Sequence, residues 1–223
     1  MAVPVRWIVI TVLGCLLLGW WLSNPAPSLP PSATAHATAA GGVRADTSAC
    51  PLPPLVERGA APLQSDVPGS MPPLSVEGAT LQPLAGFSVE ARVLGREDYR
   101  MGREADFSPT DLALGWGRMS EDAVLARLEI SQGGRWYRYR WKAEPPIPLG
   151  EIVRSSANMH MLPADDAVAT ALRDVDAGDR VRIDGWLVQV NTPDGWRWRS
   201  SLSREDSGGG ACEVVYVCSI SRE

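Results

Sequence analysis

Proline is spread so unevenly along this chain that it limits where regular structure can begin. Residues 24–85 hold twelve of the nineteen prolines, residue 4 is another, and residues 86–223 hold six. Proline lacks a backbone N–H and fixes φ, so helices and inner strands do not readily run through such a stretch. Residues 24–85 are also rich in Ala, Ser and Gly and poor in aromatics. They cannot bury enough apolar surface to offset the entropy of ordering, and the expectation is a disordered tether of about 3 Å per residue. Within it, Pro51-Leu52-Pro53-Pro54 is the kind of segment that docks on an aromatic groove, but no other feature favours that over a spacer. The layout that follows is a head at 1–23, the tether at 24–85 and a folded domain at 86–223. That last piece is long enough to bury its own core.

The head is apolar or small throughout Trp7–Leu22. Sixteen residues reach about 24 Å as a helix, and Ala2–Val5 with a snorkelling Arg6 bring this close to a bilayer core. Arg6 precedes the run and the next basic residue is Arg44, so the N-terminus is expected to be cytoplasmic and the remainder exported. The expected location is the inner (plasma) membrane, crossed once, with the C-terminal domain periplasmic or otherwise extracytoplasmic. The bilayer is then a partner through residues 7–22. An uncleaved signal anchor closed by Trp20 and Trp21 is one form. Cleavage after Ala33-Thr34-Ala35 or Ala35-His36-Ala37, or acylation at Cys15 in Val12-Leu13-Gly14-Cys15, are the others.

The remainder reads as α+β, a small curved antiparallel sheet or OB-like barrel with about three short helices. Phe87, Val89, Ala91 and Val93 alternate with Ser88, Glu90 and Arg92 as in a half-buried strand. Ser108-Pro109-Thr110-Asp111 predicts a helix through Leu114, and Ser120-Glu121-Asp122 opens another. Residues 135–141 read as a strand with Tyr137, Tyr139 and Trp141 on one side. A helix from Asp165 or Asp166 to Val175 ends before Gly178. Beyond it, Val181 and Ile183 alternate in one phase and Trp186, Val188 and Val190 in the other, which predicts a bulge at Gly185. Thr192-Pro193-Asp194-Gly195 is a turn. Trp196, Trp198 and Leu202 then share a face opposite Arg197 and Arg199, and Val214, Tyr216, Cys218 and Ile220 make the last strand.

Leu114-Gly115-Trp116-Gly117, Ser156-Ala157-Asn158-Met159-His160 and Gly210-Ala211-Cys212-Glu213 together resemble a family of uncharacterised bacterial proteins. The resemblance covers residues 87 to about 218. It implies an N-terminal membrane segment with one small exported domain, and it carries no known activity or site residues.

Outside the cytoplasm Cys50, Cys212 and Cys218 are disulfide candidates. Cys212 and Cys218 stand about 20 Å apart along a straight strand, too far to pair, whereas Cys50 on the tether reaches either. His160, the single histidine of the folded part, is a candidate base for Cys212, oriented by Asn158, Asp165 or Asp166; Ser155 and Ser156 are alternative nucleophiles. Glu97, Asp98, Glu104, Asp106 and Asp111 interleave with Arg96, Arg100 and Arg103 and read as a solvated mixed-charge surface. No zinc spacing is present, and Gly208–Gly210 lacks the Lys-Ser/Thr of a phosphate loop, so no metal or cofactor is expected. A net charge of −5 argues against duplex DNA, and alternation that parts Trp196 and Trp198 from Arg197 and Arg199 argues against a single-strand platform, so no nucleic acid is expected as partner. Three functions fit these residues. The first is a non-catalytic binding or assembly module in the cell envelope, with another envelope protein as partner. The second is an envelope hydrolase or thiol enzyme built on His160 with Cys212 or Ser156. The third is a glycan- or peptide-binding domain with a groove at Tyr137, Tyr139 and Trp141.

Overall fold

The computed structural model describes residues 50–203 and 211–223. The apolar head, its cleavage and acylation sites, residues 24–49 of the tether and the Gly208–Gly210 run lie outside them. Among the described residues no helix is long and apolar enough to cross a membrane.

The domain is α+β and dominated by strands. In chain order it contains β1 (Leu63–Ser65), β2 (Leu74–Val76), β3 (Ala79–Asp98), β4 (Thr110–Gly115), α1 (Asp122–Leu125), β5 (Glu129–Gly133) and β6 (Trp136–Arg140). Then come α2 (Leu149–Arg154), β7 (Ser156–Pro163), α3 (Asp166–Arg173), β8 (Arg180–Asn191), β9 (Arg197–Arg199) and β10 (Glu213–Arg222). Pairing runs β3–β4–β7–β10–β8, and β8 pairs back onto β3, so five strands close a barrel. Within this ring β7 and β10 are parallel and every other neighbour is antiparallel. Helix α3 makes the crossover from β7 to β8. Its N-cap Asp165 accepts the Val168 amide at 2.9 Å, and Val168, Leu172 and Val175 close the barrel core. Strands β5 and β6 form a separate hairpin.

Alternation sends Phe87, Val89, Leu112, Met159, Ile183 and Val215 into that core. The outer face of β8 and β10 is not left to water. Trp186, Val188, Val190, Val214 and Tyr216 pack there under Leu74, with Trp196 and Trp198 against them. This second layer explains one departure from the expected pattern. Strand β8 keeps a single phase, with Ile183 and Leu187 inward and Trp186 and Val188 outward, because both faces are covered. The register shift lies across from Gly185, between Val217 and Ser219 on β10. It turns Ile220 to the inner core while Val214 and Tyr216 face out. Gly185 is needed for close approach instead: a Cβ there would lie 2.0 Å from the Tyr216 carbonyl oxygen.

Two further expectations are corrected. Residues 110–115 form strand β4 and not a helix, because Leu112 and Leu114 share the inner face of the barrel while Asp111 and Ala113 share the outer one. Residues 50–85 belong to the fold and not to the tether. Strands β1 and β2 and the first part of β3 lie there, and β3 accommodates Pro83 at a register shift between Pro83 and Ala85, where proline is tolerated.

Candidate functional site

The outer face of β4 and β7 carries polar side chains where the neighbouring face of β8 and β10 carries apolar ones. Asp111 on β4 stands opposite His160 on β7, with Asn158 two residues earlier on the same side. Asp111 is fully buried. Its Oδ1 accepts His160 Nδ1 at 2.9 Å and Arg135 Nη1 at 2.6 Å, and its Oδ2 accepts Asn158 Nδ2 at 3.1 Å. Facing a carboxylate, the imidazole carries its hydrogen on Nδ1. A carboxylate buried without such partners costs several kcal/mol, so these donors are what make Asp111 tolerable there.

Arg135 comes from the β5–β6 hairpin, whose two-residue turn is Gly134-Arg135. Both residues have positive φ, 61° and 67°, as the right-handed strand twist requires of a tight hairpin. Arg135 is the one non-glycine residue with positive φ among the described residues. Its backbone and both terminal guanidinium nitrogens are bonded in the site. Its backbone N–H donates to the Tyr99 hydroxyl at 2.8 Å and its Nη2 to the Ser108 carbonyl at 2.9 Å. Its own carbonyl accepts Asn158 Nδ2 at 3.2 Å and lies 3.8 Å from Cys212 Sγ. Gln132, on the same hairpin, donates to Asn158 Oδ1 at 2.7 Å and to the Asp111 carbonyl. The hairpin is therefore latched to the barrel through the buried carboxylate.

An aromatic ladder continues the latch outward. The Arg135 guanidinium lies 3.9 Å from the Tyr99 ring centre and 5.8 Å from that of Trp198. Trp198 packs on His160 at 4.8 Å and on Trp196 at 6.1 Å. Trp196 stacks on Phe107 at 5.8 Å, under the Arg103 guanidinium at 4.9 Å. Arg103 and Thr192 both bond Asp194, which holds that carboxyl well below the usual carboxylate range. Burial pushes the Tyr99 phenol up. The ladder thus spans residues 99–109, the hairpin turn and the β8–β9 hairpin, three segments remote in sequence.

The candidate residues fall on both sides of this site. His160, Asn158 and Cys212 are brought together in it. Val214 pairs with His160 across parallel strands, which puts Cys212 level with Asn158 and one diagonal step from His160. The expected orienting residues Asp165 and Asp166 are elsewhere, because Asp165 caps α3; Asp111 holds the imidazole in their place. Asp111 is accordingly no part of a solvated acidic surface. Ser156 is spent on the Ile152 carbonyl at 2.7 Å and the Tyr137 hydroxyl at 2.9 Å, and Ser155 follows the last turn of α2. Tyr137, Tyr139 and Trp141 are half-buried, in contrast to the outward-facing Trp136, Arg138 and Arg140. Tyr139 packs against the cluster of Met119, Val124, Ile147 and Ile152, so this row seats the hairpin. Burial pushes the Tyr137 phenol far up. Of the disulfide candidates, Cys50 and Cys218 are bonded, with Cα atoms 5.2 Å apart, and Cys212 keeps its thiol.

Arg135, Gln132, Tyr99 and Asp111 are site residues that sequence reasoning did not single out. The signal for Arg135 was local: Gly133-Gly134 between two alternating runs marks a tight hairpin, whose second turn residue must point somewhere. No local signal existed for the others.

With Nδ1 fixed on a carboxylate, His160 has the geometry of a base held by its orienting acid, and among the described residues nothing bonds its Nε2. The same carboxylate oxygen, however, also serves Arg135. The negative charge that would stabilise an imidazolium is already matched by a guanidinium. Among the described residues no group of His, Cys, Asp and Glu could hold a metal ion. No family model matches the chain, and no curated protein or solved structure matches it.

Proposed function

We propose that this chain is a membrane-anchored envelope protein whose exported part is an OB-like, non-catalytic binding or assembly module. The anchor is the apolar head, with the N-terminus cytoplasmic. The Cys50–Cys218 bridge supports export, since such bonds persist in oxidising compartments. Strand order supports the OB-like reading. Counted in chain order as β3, β4, β7, β8 and β10, the barrel has its third and fifth strands parallel and a helix between the third and fourth. The observation that carries the binding role is the placement of the ladder from Tyr99 through Arg135 and Trp198 to Trp196. It lies beside the outer face of the second and third barrel strands, between the first-to-second and fourth-to-fifth strand loops, where barrels of this kind take their ligands. That step is an analogy of fold, and the resemblance to uncharacterised bacterial proteins brings no activity with it.

The test is photo-crosslinking in living cells from a probe residue placed at Arg103, which lies over Trp196, with Glu144 as control, in the full-length chain. A discrete adduct from Arg103 and none from Glu144 is the expected result. Adducts alike from both, or from neither, sink the proposal.

A second reading, a thiol enzyme, draws support from His160 held by Asp111 and Cys212 resting on the carbonyl that Asn158 also bonds. It requires that an electrophilic probe label Cys212 and that His160→Ala abolish the labelling. An inert Cys212 ends it.

A further inference from the structure

The segment that enters the domain is bound the way proline-rich ligands are bound by other proteins. Pro53 and Val56 are buried and Cys50 is half-buried, while Leu52 and Leu55 are more than half exposed. Burial every third residue is the period of a polyproline II helix laid on a surface. The groove beneath is built for it. The Trp186 indole N–H donates to the Pro51 carbonyl at 2.7 Å. Gly86 provides the floor, since a Cβ there would come 2.8 Å from Pro53 Cβ. Ser88 Oγ accepts the Val56 amide at 2.8 Å while donating to Asp184, and Arg182 Nη2 donates to the Val56 carbonyl at 2.9 Å. Glu90 accepts the Gly59 amide at 3.2 Å. An indole N–H on a proline-segment carbonyl, with a prolyl residue seated closely over the adjacent Gly86, is the chemistry of polyproline recognition.

We infer that this groove on β3 and β8 is a binding site for proline-rich extended peptides, filled in cis by residues 50–56 and locked by the Cys50–Cys218 disulfide. The lock sits at the end of the segment, where fraying would start. A dithiol reductant opens it by attacking one sulfur and resolving the mixed disulfide with its second thiol. Two electrons and two protons pass to Cys50 and Cys218, and the reductant leaves as its own disulfide. The freed segment then competes with any proline-rich strand supplied in trans.

Two measurements on the detergent-extracted full chain test this. In the first, Cys50→Ser, Pro53→Arg and Val56→Asp together evict the segment without touching the groove. A fluorescent peptide copying residues 48–60 with Cys50→Ser is titrated by anisotropy. It is expected to bind the variant at least tenfold more tightly than the oxidised native protein, and a peptide that also carries Pro53→Arg is expected not to bind. Equal affinity for both proteins, equal affinity of both peptides, or no binding to a folded variant overturns the site. In the second, which needs no variant, amide exchange is compared before and after dithiothreitol. Val56 and Gly59 are expected to exchange at least tenfold faster after reduction, with the Val217 amide unchanged. Unaltered protection at Val56 overturns the lock.

Discussion

Replacing Arg135 tests whether the hairpin is held by charge or only by contact. Its side chain is 19% exposed and that of its partner Asp111 is 0% exposed, so the pair is close to the buried limit. Removing one member of a buried pair costs about 3–5 kcal/mol, and the residual exposure places Arg135→Ala near about 3 kcal/mol. The backbone adds a second, separable effect. With φ at 67°, any side chain at this turn position is strained, and glycine relieves about 1 kcal/mol of that. Arg135→Gly is therefore expected to lose about 2 kcal/mol, less than Arg135→Ala although it removes more atoms. Asp111→Asn in the Arg135→Ala background removes the stranded charge and is expected to restore at least about 1 kcal/mol. The assay is urea unfolding of the full chain with its disulfide intact, followed by tryptophan fluorescence. A loss below about 1 kcal/mol for Arg135→Ala, or a double variant less stable than the single one, refutes the account of Asp111 as a buried charge needing its guanidinium.

Other consequences can be checked more briefly. Gly185→Ala places a Cβ against the Tyr216 carbonyl, so β8 and β10 must separate; the variant is expected to lose cooperative unfolding, and a native-like melt contradicts the close approach. Asp165→Ala removes the N-cap of α3 and is expected to cost about 1 kcal/mol in the same urea assay, with no change meaning the cap is idle. Burial raises the phenols of Tyr99, Tyr137, Tyr139 and Tyr216 above their unfolded value, so the stability tied to their neutral forms is complete below about pH 10 and declines as pH rises further. Tyr137→Phe is expected to flatten part of that decline above about pH 10, and an unchanged slope rejects burial as its cause. Alkylation without reduction is expected to add two groups to an uncleaved, unacylated chain, at Cys15 and Cys212, with Cys50 and Cys218 protected; intact mass reads the result directly.

The parts of the fold legible in the sequence are those whose burial is one-sided. Val168 and Leu172 mark the inner face of α3 because its other side meets water, and Tyr137 and Tyr139 mark β6 for the same reason. Strand β8 defeats the period-two reading because it is covered twice. With apolar residues on both faces from Trp186 to Val190, alternation disappears and mimics a change of phase. Residues 50–56 defeat composition in the opposite way. Composition predicts that a segment too proline-rich to build its own core stays disordered, yet a surface of the same domain with an indole donor and a guanidinium on its carbonyls orders it. Ser108-Pro109-Thr110-Asp111 carries a helix-start pattern that β4 overrides, since Leu112 and Leu114 fill the barrel only as alternating strand residues.

The site was only partly legible, for a reason that belongs to its construction. His160, Asn158 and Cys212 are conspicuous residue types, and adjacent strands β7 and β10 gather them. What decides their chemistry is Asp111, and its role depends on which oxygen is shared with which donor. Asp111 and His160 lie forty-nine positions apart, and Asp111 and Arg135 twenty-four, so neither contact has a local pattern. A histidine with a carboxylate alone would have the geometry of a base. The same pair with a guanidinium 2.6 Å from the shared oxygen is a charge-balanced latch that positions a hairpin and its aromatic ladder. What separates this centre from a histidine held by a carboxylate alone therefore rests on one arginine, and on a turn that places it in a positive-φ conformation to reach its partner.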